Sequence, residues 1–231
     1  CKPPLQRGFA VSAIDYVRED GSGMYRQWHV RDLVPSNRAL ELVFVFESPH
    51  VDELSVGLPV VGAAGKSALR YLAPGQSRDL SLGRFVQERH AAGDGRIAIL
   101  NVSNVPMQAA AFVGVEAPEL EEGDWTKIGR VRRSKARSIS SLRGSGERAI
   151  AETLVDGLRK RLSAVDLGVE GRVVAAGTFA QRAVAAAFPD LKPEPLRVPH
   201  PSFNQWFRAA NQNLPALINV KHRFEHQPSR A

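Results

Sequence analysis

Three runs without a polar side chain, Leu42-Val43-Phe44-Val45-Phe46, Ile97-Ala98-Ile99-Leu100 and Val173-Val174-Ala175-Ala176, narrow the folds open to this chain more than any other feature. A strand with one face in water alternates polar and apolar residues. A strand that is apolar throughout is covered on both faces, as in parallel sheets wrapped by helices. Helical patterns separate the runs: Gly65 to Leu72 with Ser67 as a cap, Leu82 to His90, and Ile150, Leu154, Val155, Leu158 and Leu162 at helical spacing. Thr178 and Gln181 have capping-box spacing ahead of an Ala-rich helix, Leu196-Arg197-Val198 is a further short strand, and Ser202 and Gln205 repeat the capping-box spacing. This alternation predicts one three-layer α/β/α domain over residues 1–231, with a mainly parallel, four-stranded central sheet. Ligands of such sheets bind beyond the carboxyl ends of the strands.

Two stretches stand outside that pattern. Residues 1–40, with turn chemistry at Asp20-Gly21-Ser22-Gly23 and Pro35-Ser36-Asn37, read as a short strand pair or arm. A polar segment from Asp124 to Arg148, within an insertion over about 112–148, reads as a loop. It carries Lys127, Arg130, Arg132, Arg133, Lys135, Arg137, Arg143 and Arg148, a set suited to clamping a phosphate backbone or to a solvated surface. The formal net charge of +7 favours a polyanionic partner, nucleic acid first, because neutralised phosphates release counterions. A single cysteine, Cys1, excludes an intrachain disulfide and any multi-thiolate cluster, which fits a reducing cytoplasm. With no long apolar run and no signal-like start, neither membrane nor export is expected. A start at Cys1 rather than Met reads as trimmed, and a monomer without cofactor or metal is expected.

The chemistry sits just after the strands. Glu47-Ser48-Pro49-His50-Val51-Asp52-Glu53 follows the first, continuing through Gly57, Pro59, Val61, Gly62, Ala64 and Gly65. Its spacing resembles, without a gap, the E-A-P-G-x-x-E and G-x-P-F-V-G-x-A-G segments of the iron–sulfur-type uracil-DNA glycosylases. Leu100-Asn101-Val102-Ser103-Asn104-Val105-Pro106 resembles that family's T-N-V-V-K-C-R-P segment, and Val198-Pro199-His200-Pro201-Ser202 resembles its H-P-S loop. The blocks occur in the family's order, and together with the unit Val173 to Ala187 the resemblance covers roughly residues 40–110 and 150–215. It implies a uracil-DNA glycosylase-like fold and a DNA glycosylase, which extrudes a base and hydrolyses its N-glycosidic bond.

That reaction builds positive charge on the sugar and negative charge on the departing base, so it needs an anion at one and donors at the other. The resemblance gives Glu47 the sugar and the water, His200 the base oxygen, and Asn101 the reading of the base edge. An Asn, with a donor and an acceptor, suits that edge, as Asn104 also would. Ser48, Pro49, His50 and Val60 would line the pocket. Gly62, Ala63, Ala64, Gly65 and Lys66 would let a DNA backbone approach a helix start, with Ser202 as a phosphate contact and helix cap. Arg130, Arg132, Arg133, Lys135 and Arg137 would hold DNA from the insertion. Among Phe203, Trp206 and Phe207, one aromatic would fill the hole left by the extruded base, a stack worth about 1–3 kcal/mol, while at least two pack in the core.

This chain departs from the family at informative places. The cluster cysteines are absent, Val60 stands where the family has an aromatic that stacks on uracil, and His50 replaces a glycine. Ser48 occupies the place of the catalytic Asp of the related Q-D-P-Y-H enzymes, leaving Glu47 as the carboxylate. Loss of the ring makes room for a damaged or bulky modified pyrimidine, such as the glucosylated hydroxymethylcytosine of phage DNA that a bacterial antiphage glycosylase of the superfamily removes. Three other readings stay open: an inactive nucleic-acid-binding module of this fold, a structural or protein-interaction domain, and a metal-dependent nuclease using Asp52, Glu53, His222 and His226.

Overall fold

A computed structural model describes residues 10–18, 25–36, 39–135, 138 and 141–225. The turn expected at Asp20 to Gly23, Arg137 and His226 fall outside those residues. The sheet contains β1 (Leu40–Phe46), β2 (Ile97–Asn101), β3 (Leu167–Ala176) and β4 (Leu196–Val198), all parallel, in the order β2-β1-β3-β4. The chain leaves β1 for one neighbour and returns to its other side, so the strand order switches beside β1, where open α/β sheets form their binding crevice.

The continuous apolar runs are explained by burial on both sides. Val43, Val45, Leu100, Val173 and Ala175 belong to a core shared with α1 (Ala13–Val17), α5 (Asp124–Arg133), α6 (Ser145–Ser163) and α7 (Thr178–Ala187). Leu42, Phe44, Phe46, Ile99, Val174 and Val198 face the opposite core, with α3 (Ala63–Leu72), α4 (Leu82–Ala91), α9 (Pro215–Glu225) and Trp206. The short α2 (Val51–Val56) follows β1, and α8 (Ala209–Gln212) precedes α9. Among the described residues no helix is long and apolar enough to cross a membrane.

Several local expectations need correction. The described part of residues 1–40 holds a helix, α1, with Ser12 Oγ accepting from the Asp15 amide, and forms no strand pair of its own: isolated bridges join Val11 to Leu120 and Leu33 to Ile99 of β2. The polar stretch expected as a loop is helical over Asp124–Arg133 and again from Ser145, and the described residues between are a connection. Ile128 and Val131 bury one stripe of α5, while Asp124 accepts from the Ala13 amide at 2.5 Å and ties α5 to the start of α1. The expected caps are not formed: Ser67 lies inside α3, whose N-cap is Gly62, and Gly177 caps α7 while Gln181 donates to the Val198 carbonyl. Ser202 opens a 3-10 segment, Ser202–Phe207, behind Pro201.

Candidate active site

Parallel strands put their carboxyl ends on one edge, and the three key side chains all leave from it. Glu47 directly follows β1, Asn101 ends β2, and His200 lies two residues beyond β4. Phe46 pairs with Asn101 across β1 and β2, and the amides of Val102 and Ser103 donate to the carbonyls of Phe46 and Glu47. On the other side, Gly177 donates to the Val198 carbonyl and packs under the imidazole of His200; a Cβ there would lie 3.0 Å from His200 Cβ, and φ of +93° independently favours glycine. Glu47, Asn101 and His200 consequently line one cleft of about 600 Å³, together with Ser48, His50, Val60 and the Gly62–Gly65 turn. No family model and no curated protein sequence matches the chain.

The imidazole is set up as a donor. Its Nδ1 lies 2.9 Å from Ser202 Oγ and 3.3 Å from the Ser202 backbone nitrogen. A backbone N–H only donates, so Nδ1 accepts and the proton of the neutral ring sits on Nε2. Burial pushes the His200 pKa below its ordinary value, with Glu47 opposing and Arg132 reinforcing that shift, so the ring is neutral at pH 7. Phe46 meets it edge to face at 6.1 Å and fixes its plane. Asn101 is only 2% exposed, yet its Nδ2 has no hydrogen-bond partner among the described residues, and the same is true of buried Ser48 Oγ. A buried donor without a partner costs about 1–3 kcal/mol, so a cleft-lining amide in that state is ready for a ligand acceptor.

The floor is held by Glu53. Its carboxylate accepts from the His50 and Val60 amides, both at 2.5 Å, and burial raises its pKa to about 7. Val60 consequently adopts the left-handed region at φ 57°, rare for a β-branched residue. Both oxygens of Glu53 serve the backbone, which removes it from the nuclease reading. Among the described residues no group of three or more His, Cys, Asp or Glu is placed to share a metal ion.

Other expected site residues divide. Asn104 is not at the cleft: its Oδ1 accepts from Arg161 of α6 at 3.0 Å, so it braces the β2 loop. Pro49 is buried and Lys66 exposed, neither lining the cleft. Gly65 answers an internal demand rather than DNA approach, since a Cβ there would lie 1.8 Å from the Val60 carbonyl oxygen. Gly62 likewise leaves space for the Asp52 carboxylate, 2.7 Å from where its Cβ would be. Ser202 engages His200, whereas Trp206 is fully buried and Phe207 packs edge to face on Tyr71. Phe203, 85% exposed, stands at the cleft with φ 54°. Its neighbour Asn204 is anchored to α3 by Ser67 Oγ and Arg70 Nη2, at 3.0 and 2.8 Å. Arg130, Arg133 and Lys135 are exposed. Arg132 is different: it lines the cleft and its Nε donates to Glu47 Oε1. Gln108 and Phe46 also line the cleft; Gln108 carried no sequence signal, and Phe46 only that of a buried strand.

Proposed function

We propose that this protein is a DNA glycosylase that extrudes a damaged or modified base and hydrolyses its N-glycosidic bond, leaving an abasic site. One observation carries the reading: a carboxylate, an unpartnered amide and a neutral imidazole from three strand ends face a single cleft. In the proposed reaction the C1′–N bond breaks with its electron pair going to the base. His200 Nε2–H donates to a base oxygen as negative charge builds there, and Asn101 reads the base edge. Glu47 faces the positive sugar and orients the water that adds to C1′, taking the proton that the water gives up, which ends on the departed base. Phe203 fills the gap in the stack.

The cleft favours a base larger than uracil. A volume of about 600 Å³ falls within the 300–1,000 Å³ typical of sites that bury drug-sized ligands. Val60 brings no ring over the pocket, and His50, Asp52 and Gln108 give its wall polar groups suited to a polar substituent. Hypermodified pyrimidines of phage DNA, met in the cytoplasm, fit that wall, and defence against phage is the corresponding role. The test is a mass-spectrometric screen for released bases over DNAs containing uracil, 5-substituted pyrimidines and glycosylated pyrimidines. We expect release from bulky substrates, and Glu47→Gln to slow single turnover by about 10²–10⁴-fold with DNA binding retained. Efficient release of uracil alone would overturn the substrate assignment, and DNA binding without any release would leave the binding-module reading in its place.

A further inference from the structure

We infer that Arg132, seated by Arg182, is a positioning residue for Glu47 and not a contact to the DNA backbone; this rests on the glycosylase reading above. Arg130 and Arg133 are three residues apart and share one face of α5, open to solvent, whereas Arg132 is turned by roughly 100° from Arg133 and enters the cleft. Its Nε donates to Glu47 Oε1, and both side chains are about one quarter exposed. That contact occupies one carboxylate oxygen, fixes the plane of the group, and leaves Oε2 for water or sugar.

The helix that carries Arg132 is held at both ends. Asp124 binds the start of α1, and Ile128 and Val131 are buried. At the far end Arg182 of α7 donates through Nη2 to the Arg132 carbonyl at 3.4 Å and through Nη1 to the Ser134 carbonyl, satisfying acceptors that every helix C-terminus leaves open. Arg182 lies in the field of Glu47 as well and packs its guanidinium 5.9 Å from the Phe179 ring centre. A cation on a helix pinned in this way holds Glu47 in one orientation, and a misplacement of about 1 Å costs on the order of 10² in rate.

The experiment measures single-turnover base release at saturating DNA, with DNA affinity at several salt concentrations, for R132M, R132K, E47Q and R132M/E47Q. We expect R132M to lower the rate about 10²-fold with affinity and salt dependence unchanged, R132K to recover part of the loss, and R132M to cost nothing further in the E47Q background. R182M, which loosens the end of α5 and removes a second, more distant cation from the field of Glu47, gives a smaller loss of the same kind. Melting curves establish that each variant is folded; if R132M is not, R132K and R132Q carry the comparison. Weaker binding with a shallower salt dependence and an unchanged saturated rate would identify a phosphate contact and overturn the inference. Independent, multiplicative losses at 47 and 132 would overturn it too, leaving the glycosylase reading intact. A wild-type protein that releases no base removes both.

Discussion

Glu53 shows how a side chain can govern a site through the backbone that it holds, here the amides of His50 and Val60. Its burial favours the neutral form, while two backbone donors favour the charged one, and burial prevails. The folded carboxyl therefore holds its proton to about pH 7, against an ordinary 4.5. Between those values the native state binds a proton that the unfolded chain has lost, so this group's contribution is full below about pH 4.5 and fades as pH rises through 7. Glu53→Gln should flatten that dependence in urea unfolding measured from pH 5 to 8. It should also cost about 1–3 kcal/mol, because the amide NH₂ cannot accept from one of the two N–H groups. His200 has the opposite sign: its lowered pKa gives stability that is present above pH 6.5 and lost on acidification. His200→Ala should slow base release at pH 7.5 by about 10²–10³-fold, as for loss of one preorganised donor. A variant within a few-fold of wild type in that assay would exclude the imidazole from the reaction.

At the scale of elements, the turn between α2 and α3 is pinched by glycines. The carbonyl oxygens of Pro59 and Val60 occupy the space of absent Cβ atoms at Gly83 and Gly65, with clearances of 2.0 and 1.8 Å, and the Gly83 amide donates to Val60 at 3.1 Å. Helices α3 and α4 thus clamp the turn that forms the pocket floor. Gly65→Ala should push backbone against backbone, costing about 2–4 kcal/mol in urea unfolding and lowering base release together with stability. A stability within 0.5 kcal/mol of wild type would show that the clamp is not needed. Gly65 belongs to the stretch that was legible in the sequence, though its physical purpose was not, and Gly83 carried no signal there. Strands β1, β2 and most of β3 could be read because burial on both faces leaves an unbroken apolar run; Glu47 sits immediately beyond one of these, and His200, two residues beyond the short β4, was marked by its Pro-His-Pro-Ser segment. Helix α5 could not: only Ile128 and Val131 mark its buried apolar side amid Lys127 and three arginines, and its ends are fixed by Ala13, whose amide binds Asp124, and by Arg182, both at distant chain positions. Asn104 stood as a second candidate behind Asn101, and what separates them is Arg161, far along α6, which claims Asn104, while the Asn101 amide donor has no partner among the described residues. The same blindness to tertiary partners made Arg132 look like its exposed neighbours.

Across the whole molecule the excess of seven positive charges is not evenly placed around the cleft. Arg130, Arg133 and Arg143 border a groove of about 710 Å³ between the end of α5 and the start of α6, next to the helix that delivers Arg132 to Glu47. Among the described residues one carboxylate borders that groove, Glu147, which pairs with Arg130 at 3.2 Å and partly offsets it. A nucleotide extruded into the cleft leaves its flanking phosphates outside, and a basic groove alongside is a natural track for them. If each of the three arginines neutralises one phosphate of duplex DNA, together they contribute about 2.7 to the slope of log affinity against log salt. Raising salt from 50 to 200 mM should then weaken their joint contribution about 40-fold. The triple variant R130Q/R133Q/R143Q should therefore bind more weakly at low salt, with a slope smaller by about 2.7, and approach the wild-type protein as salt rises. Anisotropy titrations of a labelled duplex across that salt range measure both quantities. An unchanged slope would move the phosphate track elsewhere, with the first turn of α3 as the remaining side of the cleft to carry it.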